Sequence, residues 1–580
     1  MMTKLTTLML ILLGTSAYAE VKDPCQPGEH WTLASEKTPN WLKEFHEFAS
    51  HTSTPVFAWT RAIQLKRISQ VLIQADMEHD FSEYWMARVL YDLKLDPLAW
   101  QAFHSVFENS ENTDLKKAAY SCLAQIQTRT PDWEAPSLKE ASLLPWNEGD
   151  SDSLVVPLMG TKSPLVKKLA PQHRALVDAV AALQDKDYPA AIVGFTNFFK
   201  YFETHSNKVL ERYTDQAHLL YGRALYSVAK FTEAATQFQL VKKTSNEQIE
   251  AMSNLAWSYL LQEKYDDAVG VSLQLRAGAL KNTFAPEPMM IAAMALNEVC
   301  NYPDSIRMVQ GFVHDYGPSF EWLSKNQNSK DGYALALQAI KGKATAPVKL
   351  ATEWLRSPEF LTRQKEINAL IEEPKRFVEI EKNAGVEQGK LTTLFLENAT
   401  RFTQDLKVAK LKLKPGEELS KEFADRYYLV KKEMRLLSQF YRASKVWKSV
   451  TKSYAKHLPS YREKLVSRVN TDLSSKNRKL LVLLEKVRDN SDLIEVEIYN
   501  AASQDLIWKN AHPNFEKMTK EMKDEKPVQD TAQTWNWGRF LASDIDQSEV
   551  WEDELGALKA DVSDQCSQKE KFLKLGQLKK

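Results

Sequence analysis

Four tight turns recur between Gln172 and Pro318, each centred on an aromatic residue and each joining two helix-like runs. They read KDYPAA at Lys186–Ala191, AKFTEA at Ala229–Ala234, EKYDDA at Glu263–Ala268 and CNYPDS at Cys300–Ser305. The central aromatics are Tyr188, Phe231, Tyr265 and Tyr302, separated by 43, 34 and 37 residues. A period of this length built from helix pairs constrains the fold more than any other feature. One pair cannot bury its own apolar face, so successive pairs must stack.

Small and large residues recur at fixed places in the repeat. The first helix of each pair, helix A, carries Ala179, Gly222, Ala256 or Ala293 where its partner must cross closely. Three residues on stand Ala182, Leu225, Tyr259 and Leu296, of which the first departs from the bulky pattern. Helix B opens with Ala191, Ala234, Ala268 or Ser305, and carries Phe195, Phe238, Ser272 or Val309 one turn later. Small set against large lets antiparallel helices interlock at about 8–10 Å. On these residues the chain resembles the tetratricopeptide repeat family, with LAWSYLLQEKYDDAV at Leu255–Val269 as the clearest copy. The resemblance implies an α-solenoid that binds peptides or proteins and transfers no catalytic residue. Off the packing face, Asn254 and Ser258 are polar on an otherwise apolar helix, and they are the expected partner-binding residues. An amide so placed can hold an extended peptide backbone.

Around the array the chain divides by composition. Residues 1–19 read as a signal peptide: Lys4 precedes the apolar run Leu5–Leu13, and Ala17-Tyr18-Ala19 offers a small-x-small cleavage site. Cys25 follows Lys22-Asp23-Pro24 rather than a lipidation box. Residues 20–134 read as a helical region in which Phe57–Ile73 is amphipathic and Glu83–Ile126 holds one degenerate repeat, with Ala87, Leu90, Ala99 and Phe103 at the repeat's spacings. Residues 135–171 are Pro-rich and read as a linker, with SLVVPLMG as a short extended piece. The array is assigned to 172–343, with a further helix pair at Phe320–Lys343 and a helical connector at 344–390 broken near Pro374, Gly385 and Gly389.

Residues 391–513 carry longer periodic runs. Phe423, Tyr427, Val430, Met434, Leu437 and Tyr441 form one heptad-like seam. Tyr461, Leu465, Val469, Leu473, Leu480, Leu484 and Val487 form a second after Pro459. An antiparallel, coiled-coil-like helical hairpin accounts for both. Residues 401–490 hold 23 basic and 10 acidic side chains, a net of +13, whereas 491–580 hold 12 and 18, a net of −6. The basic stretch either meets a polyanion such as peptidoglycan, acidic protein or phospholipid heads, or is a solvated face partly neutralised by the tail. The tail, residues 514–580, sets Trp535, Trp537 and Trp551 beside Glu552-Asp553-Glu554 and is expected to pack back on the array. IYNAASQDLIWKNAHP, WNWGRFLASDIDQSEVWEDELG and CNYPDSIRMVQGFVHDYGP are similar to phrases of periplasmic tetratricopeptide proteins in deltaproteobacterial envelope and gliding-motility complexes.

The expected fold is therefore all-α: a tetratricopeptide-type solenoid, a long helical hairpin and a Trp-rich tail. Only 18 of 580 residues are Gly, which favours helix throughout. The formal net charge is zero, so nothing draws the whole chain to nucleic acid. After Ala19 no run approaches the roughly 18 apolar residues of a membrane span. His46-Glu47 with His51 misses the zinc-helix spacing, and no nucleophile elbow, phosphate loop or dinucleotide fingerprint occurs. No catalytic residue, metal or cofactor is expected. Four cysteines in an exported chain favour disulfides, and the expected pairs are Cys25–Cys122 and Cys300–Cys566. These features point to a non-enzymatic periplasmic scaffold for proteins of the cell envelope, with a peptidoglycan-binding or murein-processing factor as the alternative.

Overall fold

The computed structural model describes residues 80–92, 95–129, 138–146, 155–204, 208–211, 213–326, 330–343, 345–415, 418–431 and 455–511, with Met434, Lys452, Val562 and two short strands besides. The expected signal peptide Met1–Ala19, the run Phe57–Ile73, the pair His46 and His51, and both Cys25 and Cys566 lie outside the described residues, as do Trp537 and Trp551. What is described is all-α, apart from one strand pair of two residues each. The chain forms two compact units, residues 1–174 with 365–464 and residues 175–364 with 465–580.

In the first unit, α1 (Asp80–Asp92), α2 (Asp96–Asn109) and α3 (Thr113–Arg129) pack in succession. Ala87, Leu90, Ala99 and Phe103 are all buried, and the Tyr84 and Phe103 rings meet edge-on at 5.8 Å. Pro97 sits in the first turn of α2, where its missing N–H has no intrahelical partner to lose. The Pro-rich linker is laid down on this unit. It forms α4 (Leu138–Ala141), α5 (Val155–Leu158) and a 3-10 turn at Pro164–Lys168. Trp146 is buried against Tyr120 and donates its indole N–H to the Ala141 carbonyl at 2.8 Å. The expected extended piece in SLVVPLMG is instead the helical turn α5, whose Val155 and Leu158 are both buried.

The second unit holds the repeats as α6 (Pro171–Gln184), α7 (Tyr188–Thr204), α8 (Lys208–Glu211), α9 (Thr214–Ser227), α10 (Phe231–Gln239), α11 (Gln248–Leu260), α12 (Tyr265–Gln274), α13 (Glu287–Glu298) and α14 (Tyr302–Asn326). Next come α15 (Gly332–Ile340) and α16 (Val348–Arg356). Every small residue assigned to a close crossing is buried. A Cβ on Gly222 would stand 2.5 Å from the Phe238 ring, so this glycine makes room for the large residue of its own partner helix. In the first repeat the roles reverse. A Cβ on Gly194 of α7 would lie 2.8 Å from Ala179 Cβ and 3.0 Å from its Cα.

Three expected breaks are absent. α14 runs through Pro318 to Asn326, where a further helix pair was expected to begin. Val313 and His314 are exposed there, so water can take a carbonyl freed by the proline. α17 (Pro358–Lys412) passes Pro374, Gly385 and Gly389 as one helix. Buried Leu370 and Phe377 hold it on either side of the proline. Pro358 does start a helix, where proline is at home.

The last long helix, α18 (Leu458–Ala511), buries the second seam from Leu465 to Val487, while Tyr461 at its head is half-buried. Within the second unit this helix meets α15 and α16. Gly332 abuts Leu473, the Tyr333 N–H donates to Asn470 Oδ1 at 2.7 Å, and the Trp354 indole donates to Asn477 Oδ1 at 2.7 Å. Lys476 pairs with Glu353, and the Arg363 side chain with Asp472. In the first unit the chain turns after α17 into a helical segment at 421–431, where Phe423 and Tyr427 stack near Phe402. Strands β1 (Thr534–Trp535) and β2 (Lys559–Ala560) pair in parallel, β2 lies against α12, and Ala560 is buried.

Candidate partner-binding surface

The array's surface is set by its turns. Lys186, Ala229, Glu263 and Cys300 all take φ near +60°, each two residues before the turn aromatic. The next N–H reaches back to the carbonyl of Ala182, Leu225, Tyr259 or Leu296, at 2.9, 3.0, 3.0 and 2.9 Å. Those acceptors are the residues at the repeat's bulky position. The residue that caps helix A then accepts the first bond of helix B, from Ala191, Ala234, Ala268 or Ser305. Left-handed caps of this kind close the last turn of a helix and aim the next one.

Identical turns put equivalent residues of α9, α11 and α13 in register. One row is Leu220, Asn254 and Ile291; the next is Arg223, Trp257 and Met294; the third is Ser227, Leu261 and Glu298. Asn254, Trp257, Arg223 and Met294 are half-exposed, and Leu261 is exposed. Arg223 pairs with Glu250 of the neighbouring helix A. Together these side chains make a mixed strip, with aromatic, aliphatic and charged groups within two turns, as protein-binding surfaces have.

Asn254 and Ser258 take different places in it. The Asn254 amide donates to the Glu250 carbonyl at 2.7 Å, and the side chain sits on the strip. Ser258 is fully buried and its hydroxyl donates to the Asn254 carbonyl at 2.8 Å. Its equivalents seven residues before each turn aromatic are Ala181, Ala224 and Ala295, so this is a packing position that takes only small side chains. Trp257 and Arg223 were missed from the sequence. Lining up the turns and reading three residues past Asn254 would have found both.

Burial tunes two groups on the packing side of these helices. His218 stacks on Phe199 at 4.2 Å and bonds Gln237 Oε1 through Nδ1 at 2.9 Å. Desolvation holds its pKa below the usual imidazole value, opposed by Gln237 and Asp215. The Tyr259 hydroxyl accepts from Gln239 Nε2 at 2.7 Å, and burial pushes it up to about 12.

Neither Cys122 nor Cys300 is a free thiol. Cys122 is fully buried beside Arg88, while the Tyr302 hydroxyl donates to Cys300 Sγ at 3.0 Å. Among the described residues no group of His, Cys, Asp and Glu could hold a metal ion, and no helix is long and apolar enough to cross a membrane. Compared with protein-family models, curated proteins and solved structures, the chain finds no match.

Proposed function

We propose that this chain is an exported, non-catalytic scaffold that binds proteins of the cell envelope through a tetratricopeptide-type α-solenoid. The observation that carries the reading is the recurrence of one left-handed turn at four places, which brings the strip around Arg223, Asn254 and Trp257 into register across three helices. Trp and Arg at its centre are the residue types that most often dominate binding energy at protein interfaces. In this reading the pairs Cys25–Cys122 and Cys300–Cys566 lock the N-terminal region and the tail. The half-buried Cys300 turn and the docking of β2, six residues before Cys566, support the second pair.

Photo-crosslinkers placed at Leu261 on the strip, and at Val193 on helix B, test it in growing cells. One defined envelope protein should attach at Leu261 and not at Val193, and Trp257→Ala should abolish the adduct while leaving melting unchanged. Equal labelling at both positions would refute the surface. Retention of the purified protein on bare murein sacculi would favour the peptidoglycan reading. N-terminal sequencing should begin at Glu20, and non-reducing peptide mapping should find both disulfides.

A further inference from the structure

A second surface, independent of the strip, lies where α17 ends. Its last turns and the return segment form a helical hairpin: Phe402 faces Phe423 and Tyr427 at 6.4 and 5.9 Å, and Arg426 pairs with Asp405 at 2.9 Å. The chain therefore reverses beyond Lys412, and residues 407–415 and 418–422 form the tip. Apolar side chains there are not covered. Leu411 is 87% exposed, the highest value of any large hydrophobic residue described, and Val408 beside it is 51% exposed.

Charge surrounds these side chains. Lys407–Lys414 carries Lys407, Lys410, Lys412 and Lys414 and no acidic residue. On the helix, Leu411 and Val408 lie between Lys407 and Lys412, all four exposed. Lys421 adds to the rim, against the carboxylates of Glu418 and Glu422. A polysaccharide or nucleic-acid polyanion would need only the lysines. Aliphatic groups projecting among lysines fit one occupant better: a bilayer whose headgroups are anionic and whose acyl boundary takes up the apolar tips.

We propose that the tip at Lys407–Lys414 docks on an anionic phospholipid surface, with Leu411 and Val408 entering the interface and Lys407, Lys410 and Lys412 meeting the phosphates. No helix crosses the bilayer in this arrangement; the hairpin touches it end-on.

Flotation of the full chain with vesicles tests it. Vesicles of equal parts phosphatidylglycerol and phosphatidylcholine should carry the protein at low salt, and pure phosphatidylcholine should not. Losing a juxtamembrane lysine weakens binding about fivefold, so Lys407→Gln, Lys410→Gln and Lys412→Gln together should weaken it about a hundredfold. Leu411→Ser should weaken it about tenfold with the salt dependence unchanged. Val408→Ser provides a second apolar variant, and all variants should melt with the parent because every changed side chain is exposed. Absence of flotation with the anionic vesicles would overturn the proposal. So would undiminished flotation of both Leu411→Ser and Val408→Ser, because charge alone would then account for binding, as it would for murein or an acidic protein.

Discussion

The repeat turns and helix α17 treat helix-breaking residues in opposite ways. In the array, helices end at Lys186, Ala229, Glu263 and Cys300, none of them glycine, each held in a left-handed conformation that costs an L-residue about 1–2 kcal/mol. In α17 a proline and two glycines stand inside one 55-residue helix that does not end at any of them. The difference lies in what the flanking residues bury. Past each repeat turn, a small residue such as Ala234 must reach the core on a second helix, and only a reversal of the chain brings it there. Past Gly389, the buried Phe395 and Phe402 lie on the face that already holds Leu370 and Phe377, so reversal would gain nothing. Helix termination here follows the core and not the breaker.

Substitutions can break that contrast. The largest effect is expected at Gly194→Leu and Gly222→Leu, where backbone or a buried ring blocks the new side chain; each should lose about 3 kcal/mol in denaturant unfolding. Trimming the ring with Phe238→Leu should recover part of the Gly222 loss and none of the Gly194 loss. Next comes Pro374→Ala, which restores a donor inside α17 and should stabilise by about 2 kcal/mol. A loss instead would mean that the proline sets a needed bend. Smaller gains, about 0.5–1 kcal/mol each, are expected from Ala229→Gly, which relieves a left-handed residue, and from Gly389→Ala, which faces open space. If Ala229→Gly destabilised the chain, the turn would not be strained in the way described.

The smallest effect is a pH dependence. The folded pKa of His218 is lowered, so the unfolded chain binds the proton first as pH falls. Its contribution to stability is present above the ordinary imidazole pKa and is lost as pH drops through the folded value. Melting between neutral and mildly acidic pH should therefore fall further in the parent than in His218→Gln. Parallel curves would remove His218 from the account.

The repeat was legible because packing positions obey simple spacing: Gly222 against Phe238 follows from small and large residues at fixed distances from the turns. Ser258 was misplaced for a related reason. Its hydroxyl suggested a ligand, yet the position seven before each turn admits only small residues, and a serine can satisfy its hydroxyl on its own helix. The second seam, Leu465 to Val487, was visible as periodicity, but periodicity does not say what covers it. The helix meets α15 and α16 through Asn470 and Asn477, two polar residues seven apart that no apolar pattern marks. The reach of α17 through Pro374 was illegible because local propensity argues against it and only tertiary burial argues for it.

The bond between Tyr333 and Asn470 also has a consequence in time. It closes the first turn of α15, whose preceding Asp331 offers no side-chain cap, and its two ends are 137 residues apart. At about 5–20 residues per second of synthesis, the ribosome needs on the order of ten seconds to supply the missing acceptor. Both units are assembled from separate stretches of chain, so neither can be completed until residues well past 400 have been made. The nascent protein must wait, with Trp354 still lacking Asn477, until its distant half arrives. Such a chain stays open long enough to be handed on before it closes.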